Sequence, residues 1–151
     1  MEQTFVMIKP TALQRNLVGE IVKRIEQKGL MINALKMIKV THKQAQQHYD
    51  IHQNKSFYEQ LISSITQGPV VVMVIAGIQA VEIVRLLSGA TSPIQALPGT
   101  IRGDFSADMT CNLIHSADSV ERAQYEIKIY FQPNEILEYD KKINSQVYWI
   151  K

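Results

Sequence analysis

The chain has 151 residues, 46% of them hydrophobic and 20% charged, a mix that fits one ordinary globular domain and excludes a disordered or fibrous protein. Its 16 Lys plus Arg against 14 Asp plus Glu give a formal charge of +2, too balanced to grip a nucleic acid by counterion release. The single cysteine, Cys111, excludes an intrachain disulfide framework and an all-cysteine metal site, and suits a reducing compartment. At the start, Met1-Glu2-Gln3 is polar and the apolar run after it ends at Lys9, unlike a secretion signal. The most apolar stretch, Val70 to Ala76, is far short of the ~20 residues that cross a bilayer, so a cytoplasmic chain with no membrane partner is expected.

In chain order, Thr4 to Ile8 reads as a short buried strand stopped by Lys9-Pro10. Leu17, Val18, Ile21, Val22 and Ile25 then recur at helical spacing, with Gly29 where a C-terminal cap belongs. Leu30 to Val40 mixes apolar residues with lysines, the pattern of a strand at a sheet edge. Thr41 caps a short helix over Lys43 to Ile51, and a second helix from Phe57 puts Leu61, Ile62 and Ile65 on one face. Val70 to Ala76 is continuously apolar, as in a strand covered on both faces. Ala80, Ile83, Val84 and Leu87 mark another helix, followed by an irregular stretch from Gly89 to Cys111 rich in glycine and proline. Asn112 to His115 reads as a short strand. Asp118 and Glu121 then form a capping box opening a helix with Val120, Ala123, Ile127 and Tyr130 or Phe131 inward.

This order gives an α/β chain, more narrowly an α+β sandwich of ferredoxin-like βαββαβ topology, with a four-stranded antiparallel sheet covered by helices. In that topology the first and third strands lie in the middle of the sheet, and these are the two strands that are apolar throughout. A structureless run as long as Gly89 to Cys111 is where a site is first sought.

Singly, the polar residues say little. Arg85 reads as a solvated helix residue, Arg102 as a surface charge and His115 as a hydrogen-bonded core histidine. The four histidines, His42, His48, His52 and His115, lack zinc-site spacing, so no protein-held metal is expected.

Together and in order, the same residues form a pattern. Lys9-Pro10, Q-R-x-L-V-G-E-I from Gln14 to Ile21, G-A-T-S-P from Gly89, P-G-T-I-R-G-D-F from Pro98 and N-L-I-H-S-A-D-S from Asn112 resemble the nucleoside diphosphate kinases. The resemblance runs from about Thr4 to Tyr139 and implies a single domain over 1–151, with 140–151 as a C-terminal tail. It implies transfer of the terminal phosphate of a nucleoside triphosphate, typically ATP, to a nucleoside diphosphate by a ping-pong route through phospho-His115. A neutral imidazole, with an unperturbed pKa of about 6.5, suits that attack.

By the same resemblance Glu126 holds the histidine, and Lys9 and Tyr49 complete the catalytic set. Lys9 and Asn112 match residues that hold the ribose, while Arg85, Thr91 and Arg102 match phosphate donors, for which arginine's planar fork is suited. His52 matches a phosphate-contacting position, and Phe57, with Leu61 beyond it, matches the base-stacking aromatic; a π-face accepts any base. Mg²⁺ is expected to arrive on the nucleotide, held by phosphates and water. The end Val147-Tyr148-Trp149-Ile150 resembles the tail of hexameric members, so a homo-oligomer is expected, a hexamer before a tetramer. The chain departs from the family at Thr11-Ala12, where an Asp-Gly pair is usual, in the stretch from His52 to Tyr58, and at Ser116-Ala117. The alternatives are a non-catalytic nucleotide-binding scaffold, an RNA-binding sheet and a protein phosphocarrier. Intact Lys9, Arg85, Arg102, Asn112, His115 and Glu126, the lack of paired strand aromatics, and Phe57 respectively weigh against them.

Overall fold

A computed structural model describes residues 1–109 and 112–139 of the chain. Four strands, β1 (Glu2–Ile8), β2 (Met31–Ile38), β3 (Val70–Gly77) and β4 (Ile114–Ser116), form one sheet in the order β2-β3-β1-β4, every pairing antiparallel. The helices are α1 (Pro10–Gln14), α2 (Val18–Gln27), α3 (His42–His48), α4 (Tyr58–Thr66), α5 (Ala80–Ser88), α6 (Ile101–Phe105) and α7 (Val120–Tyr130), with 3₁₀ turns at Asp50–His52 and Pro133–Glu135. None of them is long and apolar enough to cross a membrane.

The two-residue period of a strand decides which side chain goes where. Phe5 and Met7 of β1, with Val70, Val72 and Val74 of β3, enter one core with residues of α3, α4 and α7. Val6 and Ile8, with Val71, Met73 and Ile75, enter the opposite core with α2 and α5. Both middle strands are thus apolar at nearly every position because each side chain finds a packed layer. The edge strand β2 keeps Leu35 and Met37 exposed, in agreement with its mixed composition.

Four local expectations change. Pro10 does more than stop β1: it opens α1, where its fixed φ and missing N–H suit a first helical turn. The helix expected to run to Ile51 ends at His48 and passes into the 3₁₀ turn. The last strand begins at Ile114, because Leu113 lies at φ 69°, in the left-handed region where a strand cannot run. The cap of α7 is Ser119, not Asp118; its hydroxyl accepts from the Arg122 N–H at 3.1 Å, while reciprocal capping boxes sit elsewhere, at Thr41 with Gln44 and at Gln132 with Glu135.

The stretch after Gly89 is not irregular throughout, and the physics of P-G-T-I-R-G-D-F explains why. Gly99 takes φ 93°, and Thr100 caps α6 by accepting from the Gly103 N–H at 3.0 Å. A Cβ on Gly103 would lie 1.9 Å from the Leu97 carbonyl oxygen, so only glycine fits there. Asp104 turns back to accept from the Gly99 N–H at 2.8 Å and pairs with Arg24 of α2 at 2.7 Å. Proline and glycine read as breakers; here they shape a capped helical turn.

Candidate functional site

His115 lies in the middle of β4, opposite Met7 of β1. Its Nε2 is 2.9 Å from Oε2 of Glu126, which projects from α7 and is almost fully buried. A carboxylate at that distance takes the ring's N–H, so Nε2 carries the proton and Nδ1 keeps its lone pair. Arg122, one helical turn before Glu126, pairs with the other carboxylate oxygen at 3.2 Å. The same guanidinium reaches Asp50 Oδ1 at 2.9 Å and the His48 carbonyl, so it ties α7 to the end of α3. Burial raises the Glu126 pKa, and the charges of His48 and Arg122 oppose the rise.

His48 is 1% exposed, its ring centroid 4.4 Å from that of His115 in an edge-on arrangement. Phe5, Tyr49 and Tyr130 ring it at centroid distances of 5.9, 4.6 and 5.7 Å. Neither nitrogen of His48 has a hydrogen-bond partner among the described residues. Sequence reasoning missed both His48 and Arg122 as site residues. The signal for Arg122 was its i,i+4 relation to Glu126; His48 lies far from His115 along the chain and has no local signal.

The other expected residues fall in three groups. Lys9 follows β1 and is buried, close enough for its charge to act on His115; Tyr49 lies 6.5 Å from the His115 ring, centroid to centroid. Arg102 is buried, donating to the Gly89 carbonyl at 2.7 Å and the Ile114 carbonyl at 2.8 Å, with Arg85 near enough to repel it. Its pKa falls through burial first and Arg85 second, yet it stays charged at neutral pH. Asn112 is buried beside the left-handed Leu113, whose carbonyl accepts from the Lys9 N–H at 2.9 Å. His52 and Phe57 pair farther out at 5.7 Å, Phe57 being 43% exposed. Leu61 packs against the core, Thr91 and Arg85 are exposed, and no hydrogen bond joins these three to the histidine pair among the described contacts. Cys111 and the tail at 140–151 lie outside the described residues.

The buried ring of His48 and the partly buried ring of His115 both titrate well below the usual histidine value. For His115 burial is the largest cause, then the charges of Lys9, Arg102 and Arg122, with Asp118 opposing. For His48 it is burial, then the charge of His115, with Glu126 opposing. The unfolded chain takes up protons on these rings as pH falls below about 6.5, whereas the native chain does not. Stability is therefore fully present above that pH and declines as pH falls toward the native values, by up to about 1.4 kcal/mol per pH unit for each group. Urea midpoints should be level from pH 9 to 7.5 and fall from pH 6.5 to 5. His48→Leu should flatten the fall, and an equal slope in the variant would remove His48 as a cause.

Ser116, at the departure from the family pattern, is buried, and among the described residues its hydroxyl meets only that of Ser88, at 3.5 Å, while the Ser88 hydroxyl donates to the Val84 carbonyl at 2.8 Å. Ser116→Gly should thus leave kcat/KM within about threefold and lower stability by about 0.5–1 kcal/mol. A tenfold loss of kcat/KM would make the hydroxyl part of the site.

The ferredoxin-like sheet thus holds a carboxylate-paired histidine beside buried cations, an arrangement with the chemistry a phosphotransferase needs. Residues 2–136 match the family model described as nucleoside diphosphate kinase. The chain is 50% identical over 139 residues to the "Nucleoside diphosphate kinase" of Thermoplasma volcanium, covering 92% of this chain and 95% of that one. It is 50% identical over 143 residues to that of Pyrococcus horikoshii, covering 93% and 91%. Among solved structures, a halophilic nucleoside diphosphate kinase from Halobacterium salinarum in complex with CDP superposes with a TM-score of 0.94 at 42% identity, covering 97% and 98%. The chain belongs to the nucleoside diphosphate kinase family, and it moves phosphate between nucleotides.

Proposed function

We propose that this chain transfers the terminal phosphate of a nucleoside triphosphate to a nucleoside diphosphate in two half-reactions, with His115 as the residue that carries it. The observation that carries this reading is the 2.9 Å approach of His115 Nε2 to Glu126, which leaves Nδ1 with its lone pair. Nδ1 attacks the γ-phosphorus in line, the bond to the bridging oxygen breaks, and the nucleoside diphosphate leaves with that electron pair. The ring becomes cationic on phosphorylation, and the Glu126 carboxylate stabilises it through Nε2–H. An incoming diphosphate then attacks the phosphorus, the P–N bond breaks, and the ring returns to its starting tautomer.

Lys9, Arg85 and Arg102 would offset the phosphate charge, and the Thr91 hydroxyl would donate to a phosphate oxygen. Asn112 and Lys9 would hold the ribose, Tyr49 and His52 would flank the phosphates, and Phe57 with Leu61 would receive the base. Support comes from the buried cations of Lys9 and Arg102, whose charges both act on His115. Mg²⁺ would screen the phosphate charge, carried by phosphate oxygens and water. Among the described residues, the only group of three side chains able to ligate a metal contains two imidazoles, a donor set unsuited to this ion. Cytoplasmic action as a single-domain homo-oligomer, a hexamer before a tetramer, fits the exposed apolar side chains of Ile94, Leu97 and Leu86.

Incubation with γ-labelled ATP and no acceptor tests the reading. Label that is lost in acid and kept in base, and that passes to added diphosphate, is the expected result. Acid-stable label, or none, would overturn it.

A further inference from the structure

One cluster at the site is more than the transfer reaction requires. His48, His115 and Glu126 each offer a ligand atom, and the three atoms lie within 4.8 Å of one another. His48 is the unusual member: a fully buried imidazole with neither nitrogen partnered among the described residues, placed edge-on against His115. A buried polar group normally has a partner. An apolar ring would fill the space between Phe5, Tyr49 and Tyr130 equally well, so packing does not explain an imidazole there.

We propose that His48, His115 and Glu126 form a binding site for a divalent transition ion of borderline softness, such as Zn²⁺, whose occupancy blocks phosphorylation of His115. Two imidazoles and a carboxylate are a favoured set for such ions and a poor one for Mg²⁺. With Zn–N distances of about 2.0–2.1 Å, tetrahedral ligands sit about 3.3 Å apart, so the set must draw in by about 1.5 Å at most. The Glu126 oxygen and His115 Nε2 already lie closer than that, at 2.9 Å. The side chain of His115 is 22% exposed, which leaves a solvent-facing position for water as the fourth ligand. Lys9, Arg102 and Arg122 face the cluster and oppose a dication, so binding in the micromolar range is expected rather than the far tighter binding of structural zinc.

The chemistry of the block is a change of tautomer. The ion takes the place of the proton between Nε2 and Glu126, and that proton moves to Nδ1. The ring stays neutral, but the lone pair that would attack phosphorus is now an N–H. This consequence rests on His115 being the phosphate carrier; binding of the ion does not.

The test uses the full chain without nucleotide and Co²⁺ as the probe, whose visible bands report coordination, with Zn²⁺ displacing it. One equivalent per chain is expected. His48→Leu and His115→Gln should each weaken binding at least tenfold and remove the bands, while His42→Ala and His52→Ala leave both unchanged. Absence of saturable binding, full binding in His115→Gln, or loss in His42→Ala or His52→Ala would overturn the site. If circular dichroism shows His48→Leu unfolded, His115→Gln on the half-open strand decides alone. A second arm challenges zinc-loaded chain, freed of excess ion, with labelled ATP: labelling should be blocked and return with a chelator. Labelling that proceeds with the ion bound would overturn the block. No label on metal-free chain would instead count against the phosphohistidine reading and leave the binding result standing.

Discussion

His115→Ala is expected to abolish the phosphoenzyme and lower turnover by more than about 10⁴-fold, because no neighbouring group can replace an imidazole nucleophile at that point in space. His48 is the nearest alternative, yet it is sealed among Phe5, Tyr49 and Tyr130 and cannot reach a phosphate without breaking that packing. Nucleotide binding should persist, since the cations and Phe57 lie on other elements. Glu126 keeps its pairing with Arg122 in the variant, so the buried carboxylate is not left bare and the fold should survive. Single-turnover labelling together with nucleotide titration by calorimetry checks both parts. Retention of more than about 1% of turnover would take the carrier role away from His115.

Arg102→Ala should damage activity and stability together. Its guanidinium joins the Gly89 carbonyl to the Ile114 carbonyl, and so pins the loop before α6 to the strand that bears His115. Each such charge-assisted bond is worth about 1.5–3 kcal/mol, and the loss also leaves carbonyls unpaired. Steady-state kcat/KM should fall by at least about a hundredfold, and the urea midpoint should fall as well. Arg102→Lys restores the charge but cannot span both carbonyls, so it should recover part of the activity and little of the stability. An unchanged midpoint in Arg102→Ala would show that the tether contributes nothing, and an unchanged kcat/KM would move the residue out of the site.

How much of this was legible in the sequence depends on the distance over which each signal acts. The central places of β1 and β3 were legible because burial on both faces leaves an unbroken apolar run, seen at Val70–Ala76. The edge position of β2 was legible from its lysines. Helix α6 was not, since five residues show no periodicity and Pro98, Gly99 and Gly103 are breakers until the close approach to Leu97 is known. Asp118 and Ser119 are both good caps, and only the backbone geometry selects Ser119. In the site, the His115–Glu126 pair was reached through resemblance and Arg102 through its motif. Its tether to two carbonyls, the left-handed turn at Leu113 and the orphaned ring of His48 belong to tertiary structure alone.

Strand β1 serves as a common datum for the site. It pairs with β4 to fix the height of His115, leads directly into Lys9, and presents Phe5 both to His48 and, stacked at 5.0 Å, to Tyr130 of α7. The histidine, its lysine neighbour and the helix bearing its glutamate are thus each located from one rigid element at the centre of the sheet. Positional errors taken from a shared reference do not accumulate as they would along a chain of loops. A tolerance of a few tenths of an ångström between strand and helix can therefore be kept through drift in the exposed segments, provided β1 itself does not change.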